Sequence, residues 1–219
     1  MSDDPDRTQP APPPSGNRST GTPGKAKGWQ PPSTAELQEL LPQYEITAML
    51  GHGGMGAVYQ GRQRSLNRPV AIKILPPMAE EDGSMHYAER FIAEAQAMGR
   101  LEHGNIVAVY DAGQTPGGLL YFVMQYVQGT DVSQMIRGAG RLPPEHAYAI
   151  TAHVCEALAY AHANGIIHRD IKPANIFLTR RGGMSDFVKV LDFGLVKALD
   201  ESEKADLTNP NAVTGTPLY

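Results

Sequence analysis

Between Tyr44 and Val127 the sequence passes through five short runs rich in Val, Ile and Tyr: YEITAML, AVYQGR, PVAIKIL, IVAVYDAG and LLYFVMQYV. Each is bounded by Gly, Pro or Asn, so each reads as a strand. One helical stretch, roughly Met85 to Leu101, interrupts them, and Phe91, Ala95 and Met98 fall on its apolar face. A second, Pro144 to Ala163, follows, with Ile150, Val154, Leu158 and Ala161 on one stripe. Three strands therefore precede the first helix, and no internal repeat is visible.

Residues 1–32 differ in kind. Eight prolines lie there among Ser, Thr, Gly and Asn, a composition that buries too little apolar surface to offset chain entropy, so a disordered tail is expected. Its PAPPP run reads as plain linker rather than as a ligand for a proline-binding module. Residues 33–43 read as a short capping helix: Ser33 and Glu36 have capping-box spacing, Leu37, Leu40 and Leu41 share a face, and Pro42 stops the helix. The net charge of −4 gives no basic field for nucleic acid or an anionic membrane. A single cysteine, Cys155, excludes an internal disulfide framework and points to a reducing, cytoplasmic setting. No leader and no apolar run of ~18 residues is present, so no membrane span is expected in this chain. His146, His153 and His162 lack metal-binding helical spacing and read as surface or core polar groups.

The chemistry starts at LGHGGMGAVY. Gly51, Gly53 and Gly56 fit G-x-G-x-x-G, and glycines let backbone N–H groups approach a phosphate chain. A dinucleotide fingerprint needs a helix after the last glycine, whereas AVYQGRQ reads as a strand. The remaining readings are a bland hairpin turn or a hairpin lid over a nucleotide, with Val58 offering an apolar contact to the base. Lys73, inside VAIKIL, is either a snorkelling surface residue or a cation aimed inward at an anion. Glu94 sits within the apolar stripe of the first long helix, where an unpaired carboxylate is costly, and is the expected partner of Lys73.

The densest polar cluster is IIHRDIKPANIFL, which places His168, Arg169, Asp170, Lys172 and Asn175 between two apolar runs. Asp170 and Lys172, two apart in an extended loop, can face one reacting group as proton acceptor and charge stabiliser. Further on, VKVLDFGL puts Asp192 at the end of a strand, and Asp and Asn oxygens suit Mg²⁺. Each piece taken alone is also compatible with a polar turn; four in this order make coincidence a poor explanation.

The four together resemble the signature set of the protein kinase family, in its bacterial serine/threonine branch. G-x-G-x-x-G-x-V is met by Gly51, Gly53, Gly56 and Val58, V-A-I-K by Val70 to Lys73, H-R-D-x-K-x-x-N by His168 to Asn175, and D-F-G by Asp192 to Gly194. The resemblance implies an α+β, two-lobed, protein-kinase-like fold over residues 44–219. Its N-lobe, 44–127, would hold a complete five-stranded antiparallel sheet and one helix; its helical C-lobe, 128–219, would be partial. It implies ATP and Mg²⁺ as ligands and protein Ser/Thr hydroxyls as acceptors. Lys73, held by Glu94, would bind the α- and β-phosphates; Asp192 and Asn175 would hold Mg²⁺; Asp170 would accept the hydroxyl proton and Lys172 would sit at the γ-phosphate. Val58 and Ala71 would line the base site, backbone groups of Gln125 and Val127 would bind adenine, with Met124 as gatekeeper, and Asp131 would meet the ribose. Arg169 would receive a regulatory phosphate on Thr208 or Thr214, and Thr216 would belong to the substrate platform.

Two departures from the family pattern are small: Gln125 stands where Glu is frequent, and Gly104 where Pro is frequent. A larger one is that the sequence reaches VTGTPLY without the A-P-E motif and the helices that follow it, so it is expected to be part of a longer product. A second reading is an inactive, nucleotide-binding interaction module. A pseudokinase of that kind would lack one of the catalytic positions, and every one is filled.

Overall fold

The computed structural model describes residues 29–53, 56–77 and 84–193. The expected tail, Gly194 of the D-F-G run, Ser202, Thr208, Thr214 and Thr216 lie outside these residues. The first described element is α1 (Thr34–Leu40), and its capping box is complete. The Ser33 amide donates to Glu36 Oε2 at 2.7 Å and the Glu36 amide to Ser33 Oγ at 3.3 Å. These bonds hold the exposed Glu36 carboxyl below its usual range.

The expected five strands form one antiparallel sheet: β1 (Tyr44–Gly53), β2 (Gly56–Gln63), β3 (Arg68–Ile74), β4 (Val109–Gln114) and β5 (Leu120–Gln125), in spatial order β1-β2-β3-β5-β4. Alternation decides which side chain faces where. Val70, Ile72 and Ile74 of β3 point outward into a cluster with Tyr59, Tyr121 and Val123, closed over by Leu37 and Leu41 beside α1. Trp29 and Leu40 pack on its rim. On the inner face, Ala71 joins Phe122 and Met124 in a second cluster. There α2 (Ser84–Gly99) seats Phe91, Ala95 and Met98, the three residues its periodicity assigned to the core.

The same inner cluster runs on into the lower half, through Val132 of α3 (Val132–Ala139), Ile150, Val154, Ala157 and Ala161 of α4 (Pro144–Ala163), and a small antiparallel sheet. That sheet has the order β6-β7-β8, with β6 (Gly129–Asp131), β7 (Ile176–Arg181) and β8 (Met184–Val190). One continuous core therefore fixes the two halves across the cleft between them. The stripe read for α4 holds at Ile150, Val154 and Ala161, with Ala157 fully buried and Leu158 half-buried. Sequence periodicity missed α3 and β6, both too short to carry a period. The signal for α3 was its cap: the Asp131 side chain accepts the Gln134 amide at 2.8 Å.

Candidate active site

The glycine run lies on the β1–β2 hairpin, where Gly53 pairs with Gly56, so the hairpin reading holds and no helix follows it. Gly56 has φ +115°, and a Cβ there would lie 2.1 Å from the Ile74 carbonyl oxygen; only glycine fits. Gly51 and Gly53 face open space, which leaves the backbone approachable. Val58 is paired with Lys73 across β2–β3. Ala71 pairs with Met124, and Val70 with Gln125, across β3–β5. Alternation then brings Val58, Ala71, Lys73 and Met124 to the inner face beneath the glycine hairpin. Gln125 ends β5, and Val127 follows it into the link between the halves.

Lys73 is buried, so the inward reading is the right one. Its partner is not the expected Glu94. Lys73 Nζ sits 2.7 Å from Asp192 Oδ2 and 5.6 Å from the Phe122 ring centroid, and no Lys73–Glu94 ion pair is present. The physical reason lies in where α2 rests. It packs chiefly on β4, at the far edge of the sheet, so the buried ammonium takes the carboxylate that β8 delivers from below. Burial raises Glu94 above the ordinary carboxyl range, against the opposing fields of Arg169 and Arg90.

The cluster of residues 168–175 forms a single knot. Asp170 Oδ2 is 2.9 Å from Lys172 Nζ and accepts the Asn175 side-chain amide at 3.2 Å; the same amide donates to the Asp170 carbonyl at 2.8 Å. Arg169 adopts φ +60°, in the left-handed region uncommon for a residue with a side chain. The Leu191 amide donates to the Asn175 carbonyl at 2.9 Å, so the knot is tied to the chain just before Asp192.

His168, absent from the expected catalytic set, makes the other tie. Its Nε2 donates to the Leu191 carbonyl at 2.9 Å, its Nδ1 accepts the Asp170 amide at 3.3 Å, and its ring lies 4.5 Å from that of Phe193. The Asp170 amide also donates to the His168 carbonyl at 2.8 Å; a carbonyl only accepts and an amide only donates, so the two ring contacts favour the neutral Nε2–H tautomer. Burial lowers the imidazole pKa and favours that same form. The signal in the sequence was a histidine beside an apolar pair in IIHRD.

Asp192 sits at φ +52°, a conformation uncommon for a residue with a side chain and often found where function demands it. Its Oδ1 is buried without a hydrogen-bond partner. Such an orphaned carboxylate oxygen fits a hard divalent cation such as Mg²⁺, and the Asn175 side chain, its nitrogen committed to Asp170, keeps an acceptor oxygen. Asp131, expected at the ribose, is buried and spends one carboxylate oxygen on the α3 cap.

Glycine hairpin, buried lysine, Asp–Lys–Asn knot and orphaned aspartate thus converge on one cleft between a β-rich half and a helical half. The chain belongs to the protein kinase family: the protein kinase domain matches residues 44–219. It is similar to serine/threonine-protein kinase PknB of Mycobacterium leprae, with 42% identity over 183 residues, covering 82% of this chain and 28% of the relative. It is similar also to pkn3 of Myxococcus xanthus, with 40% identity over 191 residues, covering 86% of this chain and 35% of the relative. The chain therefore spans about a third or less of the curated relatives it matches. The kinase domain of M. tuberculosis PknI superposes with a TM-score of 0.61 at 35% identity, over 70% of this chain and 59% of the other. Rad53 residues 1–466 in complex with AMP-PNP superposes with a TM-score of 0.58 at 27% identity, over 70% and 38%. The bacterial serine/threonine branch and the α+β two-lobe fold are thereby established for this chain. Among the described residues no helix is long and apolar enough to cross a membrane.

Proposed function

We propose that this chain is the nucleotide-binding and catalytic part of a cytoplasmic serine/threonine protein kinase, moving the γ-phosphoryl group of ATP to protein hydroxyls. The observation that carries the reading is the Asp170 carboxylate, held by Lys172 and Asn175 within the knot that leads to Asp192. Phosphoryl transfer asks a protein mainly for positioning and charge stabilisation, and this arrangement supplies both.

The glycine hairpin, with Gly51, Gly53 and Gly56, covers the phosphates. Val58 and Ala71 lie against the base, and the backbone at Gln125 and Val127 bonds its edge. Asp131 offers its second oxygen to the ribose. Asp192 and Asn175 would hold the metal, and Mg²⁺ would supply neutralisation of charge on the phosphate oxygens. With nucleotide bound, Lys73 would exchange Asp192 for the α- and β-phosphates, with Glu94 as its supporting carboxylate. Asp170 takes the proton of the incoming hydroxyl while Lys172 stabilises the departing charge. Arg169 receives a phosphate on Thr208 or Thr214. The acidic net charge disfavours nucleic acid as a partner.

The test is Asp170→Asn in a protein extended through the rest of the lobe. Its affinity for ATP with Mg²⁺ is expected to hold, and phosphate transfer to a Ser/Thr protein to fall by about 10²–10⁴-fold. Transfer at the wild-type rate would refute the reading. Mass spectrometry of the wild-type reaction should place phosphate on Thr208 or Thr214.

A further inference from the structure

Lys189 lies in FVKVL, an apolar run, three residues before Asp192, and it is buried. Its neighbours on β8, Val188 and Val190, are buried too, so a Leu or Met would complete the strand at no electrostatic cost. Arg181 on β7 adds a second positive charge nearby; burial first and Arg181 second push Lys189 down to about 8. A lysine that is costly on both counts needs a task.

Its partner shows what the task is. Lys189 Nζ donates to the Ile106 carbonyl at 2.9 Å. Ile106 is 2% exposed and sits in the connector between α2 and β4. The connector runs beside β8 as a parallel bridge: the Val107 amide donates to the Val190 carbonyl at 3.0 Å and the Val190 amide to the Asn105 carbonyl at 2.7 Å. This pattern uses the groups of Asn105 and Val107 and leaves the Ile106 carbonyl to be met by the Lys189 side chain. Asn105 Nδ2 adds a bond to the Val188 carbonyl at 2.9 Å. Four bonds thus join 105–107 to 188–190. Upstream, the connector is clamped to α4, where Tyr160 accepts the Glu102 amide through its hydroxyl at 3.1 Å and stacks on His103. The exit of α2 is therefore bonded to the end of β8, two residues before Asp192.

We propose that Lys189 is a positioning residue: by holding the Ile106 carbonyl it fixes the end of β8 against the α2 exit and sets where the Asp192 carboxylate stands to take Mg²⁺. This rests on the kinase reading above. Groups behind a metal ligand tune affinity for the metal, and their loss typically costs about 10–100-fold.

The experiment measures binding of a fluorescent ATP analogue to the full chain across a Mg²⁺ titration, with an EDTA arm. Lys189→Met is expected to raise the half-saturating Mg²⁺ about tenfold or more while leaving the EDTA arm unchanged. Lys189→Arg, which keeps a donor, recovers part of the loss. Val188→Ala serves as the structural comparison: it opens a cavity on the same strand and lowers Tm, yet keeps the wild-type Mg²⁺ requirement. A wild-type Mg²⁺ curve for Lys189→Met overturns the proposal. A wild-type protein that binds no nucleotide at any Mg²⁺ concentration overturns the kinase reading itself and the proposal with it. Where Lys189→Met does not fold, hydrogen exchange on the wild type decides: ATP–Mg²⁺ must slow exchange at the amides of Val107 and Val190, since coupling between junction and metal is reciprocal, and unchanged exchange refutes it.

Discussion

His168 shows how much one side chain decides at this site. It joins the loop of Asp170 to the residue before Asp192, and the bonds on its two ring nitrogens favour a neutral ring. Protonation would set an Nδ1–H against the Asp170 N–H. The folded-state pKa is lowered, so between that value and the unfolded value of about 6.5 the unfolded chain binds more protons and stability falls as pH falls. Above about 6.5 the contribution is fully present. Denaturant unfolding from pH 7.5 to 5 should show this loss, at a slope of at most about 1.4 kcal/mol per pH unit for one proton. In His168→Phe that part of the slope should vanish; an unchanged profile would mean that another group carries it. Lys73 teaches a related lesson. Its place in VAIKIL marked it as an inward cation, but which of two carboxylates it meets is a matter of distance between elements, and Asp192 is the nearer.

Among the elements, α1 is the one whose importance exceeds its length. It lies outside the matched domain, which starts at residue 44, yet Leu37 and Leu41 are among the largest fully buried side chains. Gln38 acts as a piece of backbone, donating to the Tyr44 carbonyl at 2.8 Å and accepting the Ile46 amide at 3.0 Å. Tyr59 donates its hydroxyl to the Pro32 carbonyl, and Tyr44 donates its own to Asp111 at 2.7 Å, tying the first strand to the last in spatial order. The folded unit thus reaches upstream of the family boundary. Leu37→Ala should cost about 2–5 kcal/mol, as for other large-to-small changes at fully buried sites, and removal of residues 29–43 should cost more by uncovering the outer sheet face. Thermal unfolding of the two variants checks this. A Tm shift under a degree for Leu37→Ala would show that the outer cluster repacks without the helix.

Among the described residues, both halves leave large apolar side chains exposed. The N-terminal half has both faces of its sheet packed but leaves Met49, Leu50 and Leu66 exposed. In the lower half, α4 buries one stripe and leaves Tyr148 76% exposed, with Ile167 61% exposed in the loop that follows. Fully burying a large apolar side chain is worth about 1.5–3 kcal/mol, so surfaces of this kind seek a partner. The 219-residue chain on its own is expected to self-associate at micromolar concentration and to bind a hydrophobic dye. Tyr148→Ser with Ile167→Ser should reduce both, measured by light scattering and dye fluorescence. A monodisperse, dye-silent wild type would show that these side chains are covered in solution.

What the sequence determined by itself was local or order-dependent. The five strands, the two long helices, the capping box at Ser33 and the positions of the four kinase-family motifs were all legible, because alternation, period 3.6 and short spacings are written along the chain. Gly56 was legible as a glycine, though its reason, the Ile74 carbonyl 2.1 Å from where a Cβ would stand, was not. The tertiary structure alone decided the rest: that Lys73 meets Asp192 from 119 residues away, that Asp131 caps a helix, and that Lys189 and Asn105 sew the α2 exit to β8 across 83 residues. Buried polar groups must find partners, but which partner is nearest depends on how the elements pack, and no local pattern records that distance.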